Sequence, residues 1–583
     1  MKSEIKNCQN CKKDFTIEPD DFGFYEKIKV PPPTFCPDCR LQRRMSWRND
    51  WRLFKKKDIR TGEKIFSFFP EESPVKIFDR DFWISDAWNG TEYGKEYDFS
   101  RPFFVQFKEL LYSVPLPAHS MINIVNSHYC TNANNIKGCY LVRGASYTED
   151  SAYLIWDQES KQCLDSHITS KCELSYGNVN TIACYRTFFS VDCESCQEII
   201  LCKDCVGCNS CFGSVSLRNK SYCIFNEQYS REEYLKKIIE FNLGSEKSFQ
   251  VLKSEAHERW IKYPQKYIHG RHNANVSGDY IYESKNAQDC YRAINVEDGK
   301  YIQNILTGPV RDCYDYSNYG DNVEMIYESL VIGDGMSNVK FSTQAVRNGK
   351  NLTYCVFCFP SCSDLFGCIS LCNKKYCILN KQYTKEEYEE LVPKIIKHMN
   401  ETPFIDQKGR VFRYGEFFPS EFSPFSYQTT AACEFFPLSK AEAQEKGFVW
   451  YEPKKQNYTI TLENKNIPDN IKDVDESIFD QVIECAHRGT CGHECTGAFR
   501  VIKMELDFLK RMNIPLPRLC TNCRHFGRLS LRNPPKFYNR VCMCEQENHF
   551  HGKERCVVEF KTSYAPDRPE KVYCEKCYQQ EVY

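Results

Sequence analysis

The sequence predicts a mainly β protein: a duplicated middle of parallel β-helix or solenoid type with capping helices, flanked by small zinc ribbons at both ends. Three observations carry this prediction. Cysteine pairs at ligand spacing stand near both termini, and a long internal segment repeats at an offset of 154 residues. Within each copy, short β-prone pieces recur every 21 to 24 residues between Asn, Asp and Gly.

Composition sets the frame. With 583 residues, 42% hydrophobic and 27% charged, the chain has room for several folded domains and is not of disordered type. The opening MKSEIKNCQNCKKD is polar and lacks the apolar core of a secretory signal, and no apolar run approaches the roughly 18 residues that span a bilayer. A cytoplasmic location with no membrane partner is expected. In that compartment the 35 cysteines point to metal ligands and buried thiols in preference to a disulfide framework, which would need export by another route. Net charge is −1, yet residues 40–60 carry +7 and residues 518–540 carry +6, which leaves −14 elsewhere. The basic charge sits beside the two ends of the cysteine pattern.

Residues 1–50 form the first expected ribbon. Cys8-x2-Cys11 and Cys36-x2-Cys39 place two thiolates on each of two tight turns, and four sulfurs complete a tetrahedral zinc site. Residues 51–120 are rich in aromatics, with a helix expected around Phe103 to Tyr112. They are expected to cover the first strands that follow. Asp81-Phe-Trp83 and Asp86-Ala-Trp88 read more readily as core than as a sugar-stacking surface.

Residues 121–262 and 263–402 are the two halves of the repeat. Cys211 to Tyr234 aligns with Leu365 to Tyr388, and each copy opens a helix with a capping box, Ser230 with Glu233 and Thr384 with Glu387. Cys139, Cys163, Cys184 and Cys205 lie 24, 21 and 21 apart, and stacked coils would align such cysteines in an internal ladder. The run Cys202, Cys205, Cys208, Cys211 approaches the spacing of an iron–sulfur site. The second copy keeps only Cys362 of those positions that it can be compared at, with Val356, Phe359 and Leu365 at the others, which favours a structural thiol stack. Residues 403–480 read as a mixed α/β connector with a short helix from Lys440.

Residues 481–540 form ribbon 2. Cys495, Phe499, Pro515, Pro517, Cys520 and Cys523 stand 484 positions after their counterparts in ribbon 1. Gly492 occupies the place of Cys8, so the expected set is Cys491, Cys495, Cys520 and Cys523, with Cys485 spare or replacing Cys491. Residues 541–583 form ribbon 3, where Cys556, Cys574 and Cys577 are ligands. The fourth is expected to be Cys544, with His551, His549 and Cys542 as alternatives. Closed four-ligand sites of this kind support folding, and about three zinc ions per chain are expected.

Ribbon 1, CQNC through FGFYEKIKVPPPTFCPDCRLQRR, resembles bacterial probable zinc-ribbon domains, marked by CxxC, a Phe-Tyr segment, Pro and CPxCR; NIPLPRLCTNCRHFGRL and SYAPDRPEKVYCEKCYQQEV extend the resemblance along the chain. The whole chain is similar to long proteins of small-genome bacteria that combine such ribbons with a cysteine-rich middle. That resemblance implies zinc and implies no particular activity.

Function is expected to be macromolecular recognition by a non-enzymatic scaffold. Arg40, Arg43, Arg44, Arg48 and Arg52, interleaved with Trp47 and Trp51, have the residue types for phosphate contact and base stacking, and Arg524, Arg528 and Arg532 repeat the pattern. An acidic protein surface, or an acidic region of this same chain, would serve these arginines equally well. The other classes are a protein assembly module using the solenoid face and, less favoured, a polysaccharide-acting enzyme using Asp289, Asp312, Asp315 and Asp321.

Overall fold

The computed structural model describes residues 2–50, 52–320, 323–345, 347–452 and 458–582. The protein is mixed α/β with long parallel sheets, so the mainly β expectation fits the middle of the chain better than the whole. Helix recurs at two places in the plan. Each ribbon closes on one, Pro37–Met45, Thr521–Leu529 and Glu575–Val582, and each repeat half ends in others, Arg231–Glu240 with Glu246–Lys262, and Lys385–Glu401. No helix among the described residues is long and apolar enough to cross a membrane.

The chain divides into two compact units. Unit 1 is Met1–Ser120, Ile268–Glu452 and Lys561–Ser563; unit 2 is Met121–Tyr267, Pro453–Phe560 and Tyr564–Tyr583. Chain order is thus crossed: ribbon 1 folds with the second repeat half, and ribbon 2 with the first. The connector expected at 403–480 is not one piece, because its two parts belong to different units.

In unit 2, the strands between Met121 and Ile224 are parallel and advance by twelve residues. Met121 pairs with Ala133, Ile155 with His167, His167 with Val179, and Gln197 with Asn209. Further bridges fall at three-residue intervals, as at His128–Tyr140 and Thr131–Arg143. The chain turns at every third residue by entering the left-handed region: Tyr153 has φ 59°, Trp156 61°, Glu159 53° and Gln162 50°. Each three-residue side therefore offers one inward position. All twelve cysteines from Cys130 to Cys223 fall on that raster, together with buried Thr148, Ser151, Ser160, Thr169 and Ser175. Most buried side chains on this raster are small, and their polar atoms are satisfied locally: Cys193 donates to the Val191 carbonyl at 3.3 Å and Ser190 to the Phe188 carbonyl at 3.1 Å. The period of 21 to 24 residues is thereby corrected. The spacing of 24 is two advances of twelve, and 21 is one advance plus three triplets.

The same raster disposes of the cluster-like run. Cys202, Cys205, Cys208 and Cys211 occupy successive triplets and are buried in the thiol-lined interior. They are not among the groups of described residues whose ligand atoms converge.

In unit 1 the parallel register varies between 11 and 14 residues: Gly270 pairs with Ile281, Gly278 with Cys290, Val296 with Val310, and Val310 with Val323. Tyr291, Tyr316, Tyr327 and Tyr354 are fully buried here, alongside cysteines such as Cys290, Cys313 and Cys355. The segment before Ser120 covers the last strands of this half, not the strands that follow it in sequence. Phe103 and Phe104, on the helix Phe103–Ser113, pack against Tyr354 at 5.3 and 5.4 Å, and Trp83 donates from Nε1 to Ser370 Oγ at 3.3 Å. Apolar rings on those strands attract apolar cover, whatever its place in the chain. Trp83 is buried, in keeping with a core role.

Both capping boxes form. Glu233 N donates to Ser230 Oγ at 3.2 Å with the reciprocal bond at 3.0 Å, and Glu387 N donates to Thr384 Oγ1 at 3.2 Å with its reciprocal at 2.9 Å.

Candidate metal centres

Ribbon 1 is assembled from a hairpin and a helix. Strands Glu4–Asn7 and Asp14–Ile17 pair antiparallel and hold the turn with Cys8 and Cys11. Cys36 is the N-cap of the helix Pro37–Met45, whose first turn carries Cys39. Proline at the start of that helix loses no hydrogen bond there, and the cap geometry aims both sulfurs back at the hairpin. The four thiols come together with every pair of sulfurs within 4.8 Å. Cys11 and Cys36 are 3.6 Å apart, close to the edge of about 3.8 Å for a tetrahedron of sulfurs around zinc. All 35 cysteines are free thiols. Hydrogen bonds from Cys36 and Cys39 hold the Cys8 thiol far below its ordinary range, and the same contacts push Cys36 up.

The other two ribbons use the same plan, and one hydrogen bond identifies the first ligand in each. Cys36 N donates to Cys8 Sγ at 3.2 Å, Cys520 N to Cys485 Sγ at 3.3 Å, and Cys574 N to Cys542 Sγ at 3.2 Å. The four-thiol groups are accordingly Cys485, Cys495, Cys520, Cys523 and Cys542, Cys556, Cys574, Cys577. Sulfur separations of 3.9 Å join Cys485 to Cys523, Cys495 to Cys520, and Cys556 to Cys574. In ribbon 2, a hydrogen bond from Cys485 brings the Cys520 thiol down to about 3 and pushes Cys485 up.

Two sequence assignments change. Cys491 is not in the four-thiol group of ribbon 2; Cys485 takes that place because it follows the strand Ile483–Glu484, as Cys8 follows Glu4–Asn7. Cys544 is not in the four-thiol group of ribbon 3; Cys542 is, directly after the strand Tyr538–Val541. Counting back from the second ligand misled, because the turns between first and second ligands differ in length. Counting forward from the strand would have found both. Cys491 and Cys544 lie instead in neighbouring groups, with His487, His493 and Cys523 in one and with His549, His551 and Cys577 in the other.

The arginines expected at a nucleic-acid surface are inside the protein. In unit 1, Arg40 meets Asp315 from Nε at 2.9 Å and Arg44 meets the other oxygen of that carboxylate at 3.4 Å. Arg43 makes two bonds to Glu328 at 2.7 and 2.9 Å, reaches Glu416 at 3.3 Å and lies over the Phe35 ring. Arg48 pairs with Asp50 at 2.5 Å, and Trp47 packs on Phe418. Arg40, Arg43, Arg44, Trp47 and Arg48 are all buried; Arg52 is half-buried, and Trp51 lies outside the described residues.

Unit 2 repeats the dock. Arg524 meets Glu505 at 2.6 Å and Asp165 at 3.4 Å, and Arg528 meets Asp165 at 2.6 Å. Arg532 contacts His167 Nε2 at 2.8 Å. Spacing of four places each pair of arginines on one face of its helix, so a single aspartate is straddled by both. A buried guanidinium is tolerated only with such partners. These contacts correct the placement of the eight buried residues on a nucleic-acid surface, since no phosphate can reach them in this fold.

The acids considered for catalysis do not converge. Asp315 is enclosed by Arg40 and Arg44, Asp312 pairs with Lys27 at 2.8 Å, and Asp289 pairs with Lys561. Asp321 lies outside the described residues.

No protein-family model matches the chain, and no curated protein matches it. The cysteine motifs do bring together groups that can hold metal ions, consistent with zinc-ribbon-like sites.

Proposed function

We propose that the chain is a non-enzymatic, zinc-dependent scaffold of the cytoplasm, in which two β-solenoid halves present ladders of side chains to a protein partner and the ribbons hold those halves in shape. The observation that carries this reading is the convergence of four thiols in each of three ribbons. A metal held by four protein thiolates keeps no position for water and serves folding, and an all-sulfur tetrahedron suits zinc. Each site ties a hairpin to a helix, and in ribbons 1 and 2 that helix carries the arginines that dock on a sheet.

The solenoid reading is supported by the constant twelve-residue advance with a turn at every third residue between Met121 and Ile224, and by the looser parallel register of the second half. The outward ladder Lys137, Glu149, Lys161, Glu173 is exposed and alternates in sign, and its Lys161 and Glu149 are 3.7 Å apart. Alternating charge complements a patterned protein face better than a phosphate chain, which selects a single sign.

Two measurements test this. Metal analysis of purified protein is expected to give zinc and no iron, with chelation exposing the ribbons to protease. Mobility-shift titration with single- and double-stranded nucleic acid at low salt is expected to show no complex. A salt-sensitive shift would return the reading to nucleic acid, and iron in place of zinc would overturn the metal assignment.

A further inference from the structure

Ribbon 1 separates its first two ligands by two residues, whereas ribbon 2 inserts AHRGTCGHE between Cys485 and Cys495 and ribbon 3 inserts MCEQENHFHGKER between Cys542 and Cys556. Each insert brings one cysteine and two histidines beside a sulfur already used by the four-thiol group. In ribbon 2, His487, Cys491 and His493 gather with Cys523; in ribbon 3, Cys544, His549 and His551 gather with Cys577. We infer that ribbons 2 and 3 each hold two zinc-class ions that share one thiolate, Cys523 in one and Cys577 in the other, so that the loaded chain carries five ions.

Three independent features support the shared sulfur. First, the donors are the right kind at the right range. Cys491 Sγ lies 3.6 Å from Cys523 Sγ, and Cys544 Sγ lies 3.1 Å from His549 Nδ1 and 3.4 Å from His551 Nε2. Two sulfurs and two imidazoles make a Cys2His2 set, which binds zinc tetrahedrally.

Second, the imidazoles are arranged as ligands are. In ribbon 3, His551 Nδ1 lies 2.6 Å from the Glu554 carbonyl and His549 Nε2 lies 3.4 Å from the Glu581 carboxylate. Each outer nitrogen thus has an acceptor to fix its tautomer, which leaves the other nitrogen's lone pair directed at the group. In ribbon 2, Nδ1 of His487 and of His493 are buried and have no hydrogen-bond partner among the described residues. A buried imidazole nitrogen without a partner is costly unless something else satisfies it, and a cation does so.

Third, ribbon 1 supplies the control. Its Cys39 is the counterpart of Cys523 and Cys577, and there the side-chain amide of Asn10 donates to Cys39 Sγ at 3.2 Å. Where no insert exists, an N–H group occupies the side of the sulfur that a second ion takes in the other two ribbons. The two inserts order their donors differently, His-Cys-His against Cys-His-His, so the shared arrangement is not simply a copied motif.

The inference rests on the reading that the four-thiol groups bind metal, and ion counting separates the two. Native mass spectrometry of the full chain loaded with zinc is expected to show five ions. Three ions would overturn this inference and leave the four-thiol reading intact, and none would overturn both. His487→Ala with His493→Ala is expected to lower the count to four, as is His549→Ala with His551→Ala in a separate chain. Should either variant fold poorly, the cadmium form of the unmodified protein decides: the shared sulfur is expected to give scalar coupling between two cadmium-113 signals in each of two pairs. Five uncoupled signals would overturn the bridging role.

Discussion

Ribbon 1 in unit 1 and ribbon 2 in unit 2 solve one problem twice, and the two solutions differ in where charge and metal are spent. Both present arginines four residues apart to one buried aspartate: Arg40 and Arg44 to Asp315, Arg524 and Arg528 to Asp165. In ribbon 1 a third arginine, Arg43, is fixed by Glu328 and Glu416; the matching position in ribbon 2 is Gly527. In ribbon 2 the arginine Arg524 has a second acid from its own ribbon, Glu505; its counterpart in ribbon 1, Asp21, pairs with Lys300 instead. Ribbon 3 inverts the scheme. Tyr578 stands directly after the last cysteine, where the others place an arginine, and donates to Asp204, which also pairs with Arg218 at 3.1 Å. The aspartate at a left-handed bend is the constant, and the donor that reaches it is variable.

This comparison ranks the consequences of removing each aspartate. Asp315→Asn leaves Arg40 and Arg44 buried with no full counter-charge in contact, a situation that costs about 3–5 kcal/mol. Asp165→Asn is expected to cost less, because Arg524 keeps Glu505 at 2.6 Å. Amide hydrogen exchange of the helices Pro37–Met45 and Thr521–Leu529 reads each dock separately. Equal loss of protection in the two helices would break the ranking, and protection unchanged in both would show that the arginines are not clamps.

A second difference lies in the helices that close each half. His257, in the helix Glu246–Lys262 of unit 2, is drawn down to about 4 by burial, with Lys253 and Lys203 adding repulsion. The unfolded imidazole takes its proton near 6.5, so between those values the unfolded chain binds the proton that the folded chain refuses. The contribution of His257 is therefore present above pH 6.5 and lost as pH falls toward 4, amounting to about 2 kcal/mol after allowance for partial exposure. His257→Gln is expected to remove that part of the acid sensitivity of unit 2. The readout is the difference in denaturation midpoint between variant and parent across pH 7 to 4. A difference that does not change with pH would rule out His257 as the titrating group.

Much of this was legible beforehand, in a graded way. Ligand pairs such as Cys36-x2-Cys39 were readable because helix-capping geometry fixes their spacing locally. The first ligand of ribbons 2 and 3 was readable only as one of several alternatives, Cys485 and Cys542 among them, because the intervening turn varies in length and the preceding strand alone marks its start. The three-residue raster was present in the sequence as twelve cysteines from Cys130 to Cys223, all separated by multiples of three. The cysteine spacings of 21 to 24 concealed the register of twelve, because cysteines share the three-residue raster without all being one register apart. The fate of the arginines was readable only as an alternative: an acidic region of the same chain could hold them, but nothing in the sequence named which acids. Their partners Asp315, Glu328 and Asp165 lie hundreds of residues away in sequence, and a basic helix looks alike whether it faces solvent or a buried acid.

The smallest effect expected separates the two repeat halves at their caps. Replacing Ser230 or Thr384 by Ala removes one side of a capping box, a change of about 1 kcal/mol in each case. The neighbouring packing makes the two unequal. In Arg231–Glu240, Tyr234 is buried within the first turns and pins the start of the helix even without its cap. In Lys385–Glu401 the fully buried residues are Ile395 and Met399, both beyond Pro393. That proline has no N–H to offer the turn before it, so the stretch from Lys385 to Val392 depends more on its cap. Thr384→Ala is therefore expected to raise amide exchange across Lys385–Val392, while Ser230→Ala raises it only for the first amides after residue 230. Protection retained through Val392 in Thr384→Ala would place the anchor in the half-buried Tyr388 and Leu391 instead of the cap, and would make the two halves alike at this end.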